Sequence, residues 1–115
     1  MEITMARGDM ETRTFQIRSP DGTPYTDELD EIYFTVKKDA NERSFRFQKR
    51  LSDGGIISTG DGTYEFTIQP QDTDGMGYGN YVFDIELVKD GEIKKTFMGM
   101  LILTREVTHS YNEGG

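Results

Sequence analysis

The segment from Asp72 to Asn80, DTDGMGYGN, combines acidic and glycine residues that could bind a dinucleotide phosphate or a calcium ion. A dinucleotide-binding loop has the pattern GxGxxG, after a strand and before a helix. Here Asn80 stands where the third glycine should be, and the segment precedes a strand. A calcium loop needs Asp or Asn at its first position and Glu at its twelfth, but Pro70 and Tyr81 occupy them. The segment therefore predicts a turn with no cofactor and no metal.

The chain offers few groups for acid–base or nucleophilic catalysis. It has no Cys and a single His, His109, which follows the last predicted strand in a tail that does not fix its orientation. A general base must be held in a defined geometry before its pKa matters. The acidic residues fall mainly in turns and on polar strand faces, which is typical of a solvated surface. A hydrolase with paired carboxylates remains a catalytic alternative, but no group of residues supports it, and we expect no enzymatic activity.

Arg7-Gly8-Asp9 spells a tripeptide that animal adhesion receptors read on exposed loops. Three residues of common types often occur together by chance, and Gly-Asp is ordinary turn chemistry. We interpret the tripeptide as a turn between two strands.

The charge balance argues against nucleic acid and membrane surfaces as partners. The chain has 13 Lys and Arg against 21 Asp and Glu, a net charge of −8, which repels phosphate backbones and anionic lipids. The absence of Cys fits a chain that folds in a reducing compartment. The amino terminus has no apolar segment of the kind found in secretion signals, so we expect a soluble protein made in the cytoplasm.

Apolar and polar residues alternate with a period of two along most of the chain, which is typical of half-buried strands. The alternating segments are TRTFQIR, EIYFTVKK, SFRFQKRL, TYEFTIQ, NYVFDIEL and TFMGMLILT. Between them stand the turn-forming clusters SPDGTP, SDGG, TGDGT, DTDGMGYG and KDG. The pattern predicts an all-β fold, an immunoglobulin-like antiparallel β-sandwich of about seven strands, with one short helical turn near Pro70. We expect one domain over residues 1–108 and a flexible tail over 109–115.

Tyr81 has the position of a tyrosine corner. In immunoglobulin-like sandwiches this tyrosine stands near the start of the penultimate strand, two residues before the cysteine site of antibody domains. Phe83 occupies that site here. The alternative is that Tyr81 is an ordinary core aromatic.

The last hairpin predicts an apolar stripe on the surface. If Asp90-Gly91 is a two-residue turn, the strands pair Phe83 with Met98 and Tyr81 with Met100. This register places Met98, Met100 and Ile102 in the core. The opposite face then carries the candidate interface, which consists of Val82, Val88, Ile93, Phe97, Leu101 and Leu103. Two alternatives remain: a bulge at Gly99 reverses the register, or the amino-terminal strand covers the stripe.

Several motifs follow one another in an order that resembles a known group of proteins. They are RGD, DGTPY, IYFTVKK, GTYEFTIQPQDTDGMGYGNYVFDIEL and TFMGMLILTREVT. The chain resembles small immunoglobulin-like proteins of phages and prophages of Gram-positive bacteria. It is similar to the amino-terminal domain of phage baseplate upper proteins, from about Ile3 to Thr108. The resemblance implies a virion structural or assembly module without catalytic residues, located in the virion or in the host cytoplasm during assembly.

The expected partners are other phage structural proteins or a second copy of the chain. Docking would bury Phe97, Leu101 and Leu103 against a neighbour, with an edge strand free to extend another subunit's sheet. The alternative function is a carbohydrate-binding module for the host cell wall. Its sugar platforms would be exposed aromatic residues such as Tyr25, Tyr33 or Tyr78.

Overall fold

Alternating apolar and polar residues form eight strands in the computed structural model of the chain, which describes residues 1–105. The strands are β1 (Glu2–Ala6), β2 (Glu11–Gln16), β3 (Glu31–Lys37), β4 (Phe47–Arg50), β5 (Ile56–Gly60), β6 (Thr63–Ile68), β7 (Gly79–Lys89) and β8 (Glu92–Thr104). A single helical turn, α1 (Pro70–Thr73), connects β6 to β7, as the proline at its first position predicts.

The strands form two sheets that pack face to face. The large sheet has the order β1-β8-β7-β3-β4, and the small sheet has the order β2-β6-β5. This arrangement confirms the predicted immunoglobulin-like sandwich. All pairs are antiparallel except β1 with β8, which run parallel. A parallel pair needs a long connection, and nearly the whole chain separates these two strands.

The core lies between the two sheets and is built from the inward residues of alternating strands. Phe34 of the large sheet stacks on Phe66 of the small sheet with ring centroids 4.2 Å apart. Phe83 lies beside Phe34 at 5.1 Å. Aromatic contacts between the sheets therefore replace the inter-sheet disulfide of antibody domains, since the chain has no Cys.

The register of β7 and β8 differs from the one predicted from the hairpin turn. Val88 pairs with Ile93, but Leu87 pairs with Lys95, so Lys94 is an extra residue in β8. A bulge of one residue reverses which side chains of a strand face the core. Beyond Lys94, Tyr81 therefore lies opposite Leu101 rather than Met100.

The bulge corrects the predicted interface. Leu101 and Leu103 are core residues, with exposures of 0% and 2%. Met98 and Met100, predicted to be core residues, are exposed at 63% and 37%. The reversal proposed for Gly99 does occur, but the extra residue lies five positions earlier, at Lys94.

Gly99 has a different role in β8. A Cβ atom at this position would lie 2.4 Å from Cζ of Phe83 and 2.5 Å from the carbonyl oxygen of Met1. Such distances are far below van der Waals contact, so any side chain would displace the core ring or the start of β1. Gly99 therefore allows β1 to approach β8 above Phe83.

Candidate interaction surfaces

The glycine-rich segment before β7 forms a structural corner. The hydroxyl of Tyr81 donates a hydrogen bond of 2.8 Å to the carbonyl oxygen of Gly77. The buried Tyr81 ring and this bond to the backbone four residues upstream have the geometry of a tyrosine corner. At the start of α1, the backbone N–H of Gln69 donates to the Asp72 carboxylate at 2.7 Å. These bonds hold the chain where it crosses from the small sheet to the large sheet.

Arg7 and Gly8 form a turn that packs against this corner. The N–H of Gly8 donates to Oγ1 of Thr73, a fully buried residue, at 2.9 Å. The guanidinium of Arg7 donates to the carbonyl of Met76 at 3.1 Å and lies 4.3 Å from the ring centre of Tyr78. The predicted turn is confirmed. Because the Arg7 side chain is held against the corner, the tripeptide is not displayed as a free loop.

Lys49, which stands at an apolar position of β4, forms an ion pair with Asp72. Its neighbour across the sheet is the core residue Phe34, so Lys49 faces inward at the edge of the sandwich. Its ammonium lies 2.6 Å from the Asp72 carboxylate, and the two side chains are 15% and 16% exposed. An ion pair with so little exposure ties β4 to α1.

The outer face of the large sheet carries the exposed apolar residues of β7 and β8. We define the outer face by the side chains of Val82, Asp84, Met98, Met100 and Ile102, which point away from the core. Met98 is the most exposed of them, and Met100 lies directly opposite Val82.

The six residues of the predicted interface therefore separate into four environments. Val82 and Val88 are half-buried on β7, and Ile93 is exposed next to the hairpin turn. Phe97 is half-buried against the edge of the core. Leu101 and Leu103 are inside the core, so they are not available to a partner.

Asp84 lies in the middle of the outer face with an unsatisfied oxygen. It pairs with Thr35 of β3 on one side and Met98 of β8 on the other. Its Oδ1 atom is buried and has no hydrogen-bond donor among the described residues. Burial raises the pKa of Asp84, and the nearby Lys37 ammonium opposes that shift without cancelling it. A partner that offers a donor here would satisfy this oxygen.

A second surface is the open side of the sandwich, between β2 of the small sheet and β8 of the large sheet. Two adjoining cavities, of about 390 and 680 Å³, lie along this side. We call them together the lateral groove. Their walls include three half-buried aromatic residues: Phe15 of β2, Phe97 of β8, and Tyr25 of the segment between β2 and β3. Sequence patterns did not predict this groove, because it depends on where two strands distant along the chain come to lie.

The tyrosines proposed as sugar platforms lie in three different parts of the fold. Tyr33 is on β3, with the Arg50 guanidinium 5.4 Å from its ring centre. Tyr78 is in the corner, where Arg7 and Arg105 lie 4.3 and 4.9 Å from its ring centre. Tyr25 lines the lateral groove. The fold does not combine them into one aromatic platform.

No cluster of three or more His, Cys, Asp or Glu residues within 1–105 is arranged to hold a metal ion. Over the same stretch, no helix has the length and apolar character needed to cross a bilayer. His109 and the predicted tail over 109–115 lie outside the described residues.

Comparisons with known proteins find the fold alone. No protein-family model and no curated protein matches the chain. Chains of solved structures do match, among them the NK cell receptor Nkp44, described as a triggering partner in natural cytotoxicity. That receptor is 16% identical over 90% of this chain and 96% of its own length, with a TM-score of 0.46. A similarity of this size carries no argument about partners or activity.

Proposed function

We propose that the chain is a non-catalytic protein-interaction module of a phage or prophage particle, of the tail or baseplate type. It docks onto a neighbouring structural protein through the outer face of the large sheet. The observation that carries this proposal is the exposed pair Met98 and Met100, beside an unsatisfied buried carboxylate oxygen on Asp84.

The shape and chemistry of the outer face favour a protein over a small molecule. Small-molecule sites are concave and surround their ligand, whereas this face is the surface of a sheet. The cleft beside Asp84, whose walls include Lys37 and Ala40, measures only about 80 Å³. Methionine side chains are flexible and polarisable, so they adapt to an apolar partner surface. A partner residue with a donor group would at the same time pair with Asp84.

The resemblance of the motifs to phage immunoglobulin-like proteins supports the particle as the place of action. It extends over most of the chain and suggests other phage structural proteins, or a second copy, as partners.

Two measurements on particles test the proposal. The first is mass spectrometry of purified induced particles, with this chain quantified against the major tail and capsid proteins. We expect a fixed small-integer ratio, because a structural component is present in defined copy number. Absence of the chain from intact particles would refute the virion assignment.

The second measurement is complementation of a strain that lacks the gene. The double variant Met98→Lys/Met100→Lys should fold with an unchanged melting temperature but should not enter particles, since two charges are placed on the docking face. The matched control is Ile57→Lys, an exposed apolar residue on β5 of the other sheet, which should enter normally. Normal incorporation of the double variant would refute docking through the outer face.

A further inference from the structure

β8 has an unpaired edge over its first half. β1 pairs with β8 only from Met100 to Thr104, so residues 92–99 have β7 on one side and no described strand on the other. The N–H of Met100 donates to the carbonyl of Met1 at 3.2 Å and therefore points away from β7. In a strand, the backbone N–H and C=O groups of every second residue point to the same side. Those of Thr96 and Met98 therefore point, like those of Met100, away from β7 and toward the open side of the sandwich. Such an edge can accept another strand.

The two cavities of the lateral groove lie one after the other along this edge. One cavity is lined by Phe15 and Gln16 on the β2 side and by Phe97 and Met98 on the β8 side. The other cavity continues both walls, and its wall residues are Ile17 and Arg18 on one side and Lys94 and Lys95 on the other. The floor follows successive inward residues of β7, which are Phe83, Ile85 and Leu87.

The dimensions of the groove match an extended chain. Residues 83 to 87 of β7 span roughly 14 Å, and alternate residues of an added strand are about 7 Å apart. A strand that forms backbone hydrogen bonds with Thr96 and Met98 would therefore direct every second side chain toward the core. Large apolar side chains in those positions would fill the two cavities, beside Phe15 and Phe97.

The charges of the groove select an acidic occupant. The ionised residues that line the two cavities are Arg18, Lys94 and Lys95, and none of the acidic residues of this strongly acidic chain lines them. Lys94 pairs with Glu92 at 3.0 Å, but both side chains are exposed, so this pair is readily exchanged for a new carboxylate. Carboxylates at the Lys94 end would complement this rim.

We infer that the lateral groove binds an extended acidic segment of another protein, which adds to the free edge of β8 as a strand. The inference goes beyond the proposed function, because it concerns a second surface and does not depend on the particle assignment. The recognised segment carries alternating large apolar residues and at least one terminal carboxylate. Backbone hydrogen bonds to β8 provide affinity. The cavities select the apolar side chains of the segment, and the basic rim selects its carboxylates.

The test uses the purified full chain and two synthetic peptides. In the first peptide, valine and isoleucine alternate with threonine, and aspartates stand at both ends. The second peptide has lysines in place of the aspartates. We expect the aspartate peptide to bind at least about tenfold more tightly, since the lysine peptide meets a rim of like charge. Equal affinity of the two peptides would overturn the acidic selectivity.

Hydrogen exchange locates the peptide. With the aspartate peptide bound, the amides of Thr96 and Met98 should become protected, while those of Thr12 and Thr14 on the edge strand β2 should not change. If neither peptide protects Thr96 and Met98, strand addition at this edge is refuted.

A proline substitution gives the matched variant. Thr96→Pro removes the N–H that faces the groove, and proline is tolerated at edge positions of this kind. We expect it to abolish peptide binding, while Thr96→Ala, which keeps the N–H, should bind within about twofold of the unsubstituted chain. If Thr96→Pro unfolds the protein, the double variant Lys94→Glu/Lys95→Glu is tested instead. This variant should bind the lysine peptide more tightly than the aspartate peptide. A concentration-dependent dimer that is lost in Thr96→Pro would overturn the inference, because the occupant would then be a second copy.

Discussion

Replacing Leu101 by alanine tests the register of β8 directly. Leu101 is fully buried, with Ile3 of β1 and Tyr81 of β7 as its neighbours across the sheet. Met98, three residues earlier on the same strand, is 63% exposed. The bulge at Lys94 is the reason for this difference, so the two alanine variants should behave very differently.

The expected loss for Leu101→Ala follows from its burial. Removing a buried leucine side chain lowers the free energy of unfolding by about 2–5 kcal/mol, depending on how far the surroundings collapse. Both neighbours of Leu101 are themselves buried and held in strands, which limits collapse, so we expect about 3–4 kcal/mol. Met98→Ala removes an exposed side chain and should change stability by no more than about 0.5 kcal/mol.

Urea unfolding followed by circular dichroism measures both variants. The midpoint should fall strongly for Leu101→Ala and stay almost constant for Met98→Ala, with the same slope against urea for both. The register predicted from a two-residue Asp90-Gly91 turn reverses this order. A neutral Leu101→Ala together with a strongly destabilising Met98→Ala would therefore refute the bulge and the outer face built on it.

Three further predictions concern the corner and the outer face. Tyr81→Phe removes the hydroxyl bond to the corner and should lower the unfolding free energy by about 1 kcal/mol in urea; an unchanged midpoint would contradict the tyrosine corner. Asp72→Ala should cost about 2–4 kcal/mol, because it leaves the inward-facing Lys49 unpaired, and adding Lys49→Met should recover part of that loss. Asp84→Asn should stabilise the protein at neutral pH. Burial raises the pKa of Asp84 in the folded protein above its ordinary value of 3.8. The ionised carboxylate therefore lowers the stability of the folded state, and this loss grows as the pH rises from 3.8 through the higher pKa of the folded protein. Thermal melts should show the gain vanish below pH 3.8, and a gain that does not depend on pH would contradict this reasoning.

The elements that depend on local chemistry were predictable from the sequence. The alternation in TYEFTIQ reappears as the inward side chains of β6, with Tyr64, Phe66 and Ile68 all buried. The fixed φ of Pro70 starts the one helical turn of the described region. The turn predicted at Arg7-Gly8-Asp9 is also confirmed, and Gly8 adopts its φ of 87° there without strain.

The sheet pairing was harder to predict, because pairing depends on residues far apart along the chain. β1 joins β8 across almost the whole sequence, with Ile3 opposite Leu101. The ion pair of Lys49 with Asp72 has the same origin, since it links an edge strand to the corner. A Lys at an apolar position of a strand indicates that the strand lies at the edge of a sheet or that the Lys has an acidic partner. The sequence pattern does not identify which carboxylate that partner is.

Local sequence patterns are sufficient to predict the strands of this chain, the turns between them and the burial of one face of each sheet. In β8 both sets of alternate residues are apolar, Phe97, Leu101 and Leu103 against Met98, Met100 and Ile102. A period of two cannot tell which set faces the core when both sets are apolar. The bulge at Lys94, which exists only in the paired sheet, turns the leucines inward. The same register leaves Met98 and Met100 exposed on the outer face.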